Sequence, residues 1–135
     1  MLPICEELGI PLIFDFHHYA CWANYHKENP HQKPIRELMP RILATWKDRI
    51  PKFHLSDQAE DKKVGAHHDY VENIPDQLLN LIGKVDFDIM IEAKQKELAV
   101  QKLQKKYVVI KHVVLIQLSA KEKNLALKKE VKNTL

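Results

Sequence analysis

Residues 10–18 read IPLIFDFHH. Residues 10–16 are an apolar run of strand length, and an acid and two histidines close it. Such a run suits a strand buried in a parallel sheet. Working outward, the same pattern returns twice. Residues 51–56 (PKFHLS) and 87–92 (FDIMIE) are short strand-like runs, each with ligand-type residues at or near its end. Helical patterns lie between them. In residues 34–48 (PIRELMPRILATWKD), Ile35, Leu38, Ile42 and Trp46 share one face. Pro40 falls inside that pattern and is expected to kink or divide the helix. Residues 2–8 read as the last turns of a helix, stopped by Gly9. Residues 74–82 read as a helix, with Asn73 as N-cap and Pro75 in the first turn. Residues 94–105 form an amphipathic helix that includes Leu98 and Leu103. Residues 19–33 and 57–66 read as loops.

Helices alternating with strands imply parallel strands with covering helices, hence an α/β fold. Only about three such βα units fit before residue 92. A closed eight-stranded barrel typically takes about 250 residues, and this chain has 135. Residues 107–118 (YVVIKHVVLIQL) suit either a further strand or a buried helix. Residues 119–135 are Lys-rich and helical in propensity. The expected division is residues 1–106 as the structured region and 107–135 as an unassigned Lys-rich tail.

Composition limits the function classes. The chain is 45% hydrophobic and 29% charged, an ordinary globular mix. Its formal net charge of +3 is compatible with a nucleic-acid partner but weak evidence for one. The two cysteines, Cys5 and Cys21, have no C-x-x-C spacing, which points to a reducing, cytoplasmic setting without a disulfide. No signal peptide is visible. No apolar stretch is long enough to span a bilayer, so no membrane partner is expected.

The eight histidines carry more information. In parallel α/β folds, chemistry sits at the C-terminal ends of strands. The first strand supplies Asp15 and His18, with His17 as the alternative to His18. The second supplies His54, with Lys52 two residues earlier on the same face. The loop after it supplies His67, His68 and Asp69. The third supplies Glu92. Imidazole nitrogen with carboxylate oxygen suits Zn²⁺, Mn²⁺ or Fe²⁺. Each residue has a plainer reading as well. His54 alone would be a hydrogen-bonded core histidine, Lys52 a surface or ion-pair lysine, and Asp15 a helix cap.

The segments LPICEELGIPLIFDFHH, PIRELMPRILATWKDRIPKFHLS, AHHDYV and FDIMIEAKQKE together resemble the UV damage endonuclease family, which is related in fold to endonuclease IV. The resemblance runs from about Leu2 to about Leu103, and the tail after Lys105 matches nothing placeable. It implies the C-terminal portion of a TIM barrel, incomplete in this chain. It also implies a metal-dependent enzyme that nicks damaged double-stranded DNA on the 5′ side of photoproducts or abasic sites. Carried over by motif, Asp15 and His18 match the D-x-x-H ligands, and His54 the ligand of the PK-x-H strand. His67 matches the histidine of H-x-D-Y, and Glu92 the glutamate of IEAK. Lys52 matches a lysine resembling a carbamylated metal bridge in the family. The expected metal set is therefore Asp15, His18, His54, His67 and Glu92, with Glu92 and Lys52 as catalytic candidates. Manganese is the expected ion, with zinc or magnesium as alternatives.

The family's earlier strands supply further histidines and a glutamate. A chain without them is expected to be a fragment, inactive alone and dependent on a separate N-terminal half chain. Two other readings stand beside this one. The first is a non-catalytic metal- or DNA-binding module. The second is another metal-dependent hydrolase or isomerase on the same barrel.

Overall fold

The computed structural model describes residues 1–107 and 115–116. Among the described residues nine elements follow in chain order: helix α1 (Leu2–Leu8), strand β1 (Phe14–Asp15), helices α2 (Phe16–Tyr25) and α3 (Ile35–Ala44), strand β2 (Lys52–Leu55), helix α4 (Asp76–Leu79), strand β3 (Asp88–Ile91), helix α5 (Glu97–Lys106) and strand β4 (Leu115–Ile116). Among the described residues the strands form one sheet in the order β1-β2-β3-β4, and every pairing is parallel. The α/β class read from the sequence therefore holds. Of residues 107–118, Leu115 and Ile116 are strand. The remainder of that run beyond Tyr107, and the Lys-rich residues 119–135, lie outside the described residues.

The sheet has two unlike faces. Phe14, Phe53, Leu55, Ile89 and Ile91 are buried in a single core with Ile42, Leu78, Ala99 and Leu103 from the helices. On the other face, Lys52, His54, Asp88 and Met90 are exposed or half-buried. Side chains alternate along a strand, so this second face carries one parity of residues. Asp15 pairs with His54 and His54 with Met90. Glu92 follows Met90 by two positions. Register alone therefore puts Asp15, His54 and Glu92 on one face at one end of the sheet.

Several elements differ from the sequence reading. The strand expected over residues 10–16 shrinks to Phe14–Asp15. The reason lies in Leu12, whose backbone groups are taken by side chains instead of a strand. Its N–H donates to Thr45 Oγ1 (2.9 Å), and its carbonyl accepts from Trp46 Nε1 (2.9 Å). Of the loop expected over residues 19–33, residues 19–25 instead belong to α2. Asp15 caps that helix by accepting the His18 N–H (2.9 Å), so the chain turns helical as soon as the strand ends. Helix α3 runs unbroken across Pro40. Pro40 and Arg36 are both exposed, so the carbonyl left without a donor can be hydrated.

Helix α4 is shorter than expected, and its N-cap is Pro75, not Asn73. The Asn73 side chain accepts from Lys106 Nζ (2.7 Å), and the Ile74 N–H donates to the Tyr107 hydroxyl (3.2 Å). Helix α5 starts at Glu97 instead of residue 94. The N–H groups of Lys94 and Gln95 donate to the carbonyls of His68 and Asp69 (both 3.0 Å). Those two bonds tie the end of β3 to the histidine loop before the helix begins.

Candidate metal centre

The site is built from three strand ends and one loop. At the end of β1, Asp15 divides its carboxylate between two roles. Oδ1 caps α2, while Oδ2 lies 2.9 Å from His18 Nδ1 and 3.9 Å from His54 Nδ1. The D-x-x-H spacing is thus the N-cap to N3 spacing of a helix, which brings both side chains to the same place. On β2, His54 Nδ1 also lies 3.2 Å from Glu92 Oε1. Glu92 itself is anchored through its N–H, which donates to the Leu55 carbonyl (2.9 Å). Its other oxygen lies 3.6 Å from His67 Nε2.

The loop holding His67 is fixed from several sides. Gln58 and His67 form an isolated antiparallel bridge, and the His68 N–H donates to the Asp57 carbonyl (2.8 Å). His68 turns the other way, and its Nδ1 accepts the Tyr70 N–H (3.2 Å). Between the two loop histidines, the structure therefore turns His67 toward the cluster.

Asp15, His54 and Glu92 each offer a donor atom within 4.8 Å of the others. Two donors bonded to one ion at roughly 2.1 Å stand about 3.0 Å apart in an octahedron and about 3.4 Å apart in a tetrahedron. The His54–Glu92 separation of 3.2 Å already falls in that range, and the His54–Asp15 separation of 3.9 Å needs a small closure. One nitrogen and two carboxylate oxygens, half-buried, are a donor set that could hold a divalent metal ion. His18 and His67 flank the three donors through Asp15 and Glu92.

Lys52 stands apart. It shares the face but sits at the opposite end of β2, paired in register with Asp88. Its Nζ donates to Asp88 Oδ2 (2.5 Å), and its side chain is 51% exposed. The structure thus places Lys52 in an ion pair two residues below His54.

His17, read from the sequence as the alternative to His18, sits differently from it. It is 6% exposed, against 60% for the His18 side chain. Burial holds its imidazole below the ordinary 6.5, and the neighbouring His67 and His18 act in the same direction against the pull of Asp15 and Asp57. Behind it, Cys21 Sγ lies 3.8–3.9 Å from its ring nitrogens.

A parallel α/β sheet that brings imidazole and carboxylate donors together at its strand ends defines the class as an α/β protein with a candidate metal centre. Sequence comparison narrows this class. A model of the UV-endonuclease UvdE family matches residues 1–127, so the chain belongs to that family. The match runs past Lys105, into the tail that the motif reading left unplaced. A UV DNA damage endonuclease of Bacillus mycoides (strain KBAB4) is 38% identical over 107 residues, which is 76% of this chain and 32% of the relative. One from Bacillus cereus (strain Q1) is 38% identical over 103 residues, 73% of this chain and 30% of the relative. The crystal structure of SacUVDE aligns with a TM-score of 0.58 at 28% identity, covering 82% of this chain and 35% of that one. The chain thus spans about a third of the length of the relatives it matches.

Proposed function

We propose that this chain supplies part of the metal centre of a UV damage endonuclease. The reaction is hydrolysis of a phosphodiester in duplex DNA, 5′ to a photoproduct or an abasic site. The observation that carries this reading is the convergence of Asp15, His54 and Glu92 from three adjacent parallel strands. Family membership supplies the substrate class. A divalent ion held there, with Mn²⁺ as the first choice, would acidify a bound water and neutralise charge on the scissile phosphate.

The chain's own residues would hold that ion. Asp15 Oδ2 faces the cluster because Oδ1 is committed to the helix cap. Glu92 stands between His54 and His67, so its two oxygens point to two different imidazoles. We assign Asp15, His54 and Glu92 as the central ligands and His18 and His67 as the flanking ones. Lys52, half-exposed and paired to Asp88, fits a supporting ion pair better than a bridging carbamate, whose formation needs a free amine. The sheet is proposed as the C-terminal portion of a TIM barrel. The rest of a relative's length would come from a longer polypeptide or from a separate N-terminal chain. The formal net charge of +3 is compatible with a second reading, a non-catalytic metal- or DNA-binding module.

A strand-nicking assay separates the two. UV-irradiated and abasic duplexes are incubated with Mn²⁺ and this chain, with and without the N-terminal two thirds of the Bacillus mycoides relative, beside a Glu92→Gln variant. The proposed function expects lesion-dependent nicking in the mixture and its loss with Glu92→Gln. Salt-dependent DNA binding without nicking in any mixture favours the module.

A further inference from the structure

Among the histidines around the cluster, His17 alone is buried, and its role is separate from that of the ligands. Its ring centroid lies 5.8 Å from that of His18 and 5.9 Å from that of His67. The His18 and His67 rings lie 6.2 Å apart, so the three imidazoles form a nearly equilateral triangle. His17 meets His67 edge to face, at an interplanar angle of 74°. The carboxylate contacts of the cluster run to His18, His54 and His67. His17 instead sets its ring nitrogens near Cys21 Sγ, one helical turn on.

The two neighbours are less buried than His17. The side chains of His18 and His67 are 60% and 33% exposed, and each is bounded on one side by a single carboxylate. A side chain in contact with solvent keeps more rotamer freedom than a buried one, and a packed ring beside it reduces that freedom. His17 lies in the first turn of α2 and is buried there.

We infer that His17 is a positioning residue: its buried ring is the fixed wall that sets the spacing and orientation of the His18 and His67 imidazoles for a divalent cation. The role belongs to the ring face and edge, not to a nitrogen. This inference rests on the metal reading above, but the spacing it describes exists without metal.

The test compares the wild-type chain with His17→Ala and His17→Phe. Imidazole NMR spectra are recorded without metal, and Mn²⁺ affinity is read from the electron paramagnetic resonance of the free ion. Circular dichroism monitors the fold. Replacing a residue that supports metal ligands weakens binding by about 10- to 100-fold, and that loss is expected for His17→Ala. His17→Phe restores a flat ring and is expected to bind close to wild type. The His18 and His67 ring signals should move in His17→Ala in the absence of metal. If the alanine variant does not fold, His17→Leu takes its place; it fills the volume without a ring and should bind as weakly. Wild-type affinity in the ringless variant overturns the inference. So does a phenylalanine variant as weak as the ringless one, because a nitrogen would then be required. A wild-type chain that binds no Mn²⁺ defeats the metal reading. In that event the metal-free spectra still decide, since unmoved His18 and His67 signals in the ringless variant overturn the positioning role.

Discussion

At Asp15 one carboxylate both ends a strand and starts a helix, and its two oxygens can be tested apart. Asp15→Asn keeps an oxygen that can accept the His18 N–H, so α2 should keep its cap. It removes the charge, so Mn²⁺ affinity should fall. Asp15→Ala loses both, and the lost cap should cost about 1 kcal/mol of stability. Urea titration beside metal titration separates the two effects; equal stability of the asparagine and alanine variants would contradict the capping role. Ser56 poses a different question. It is buried just past β2, and its hydroxyl makes no hydrogen bond among the described residues. An unpaired buried hydroxyl is a cost, typically about 1–3 kcal/mol. Ser56→Ala is therefore expected to leave the melting temperature unchanged or raise it, whereas a clear fall would mean that the hydroxyl has a partner in solution. Asp15 was legible in the sequence because D-x-x-H is a local spacing. The burial of His17 was not, because it depends on what packs behind it.

Among the elements, the link between α3 and the approach to β1 is the one the sequence concealed. Thr45 is buried at the end of α3 and stands 33 positions from Leu12, whose N–H it accepts. Thr45→Val keeps the shape and removes the acceptor. The orphaned Leu12 N–H should then cost about 1–3 kcal/mol, read as a lower urea midpoint with unchanged m. A midpoint equal to wild type would show that water replaces the hydroxyl. Periodicity found α3, β2 and β3, because each alternates or repeats over enough residues. It missed α2, since Phe16, Tyr19 and Trp22 follow directly on an apolar strand and the aromatic run conceals the change of period. It overstated β1, because an apolar run does not reveal whether its backbone has a strand beside it.

Across the whole molecule, ion pairs tie distant elements. Glu6 on α1 accepts from Arg41 on α3 through both oxygens (2.7 and 2.6 Å), and Glu72 accepts from Lys102 on α5 (2.6 Å). The Arg41 hydrogen bonds hold the Glu6 carboxyl below its ordinary 4.5, and Lys102 does the same for Glu72. The unfolded chain therefore binds protons more readily than the folded one as pH falls through that value. Stability from these pairs is present above it and is lost on further acidification. Glu6→Gln should flatten the acid side of the melting temperature against pH, and added salt should shrink the difference because the pair is exposed. An acid limb identical to wild type would show that the pair contributes nothing.

By itself, the sequence determined the alternation of helix and strand, the parallel α/β class and the motifs of the UvdE family. Those are local patterns of period, spacing and residue type. Only the tertiary structure decided the membership of the cluster. Asp15, His54 and Glu92 meet because the register of β1, β2 and β3 gives them one face at one end of the sheet. Lys52 shares that face, yet two residues of strand, about 6.6 Å, keep it with Asp88. A one-residue difference in pairing would have turned each donor to the opposite face, and no local stretch of chain encodes that register.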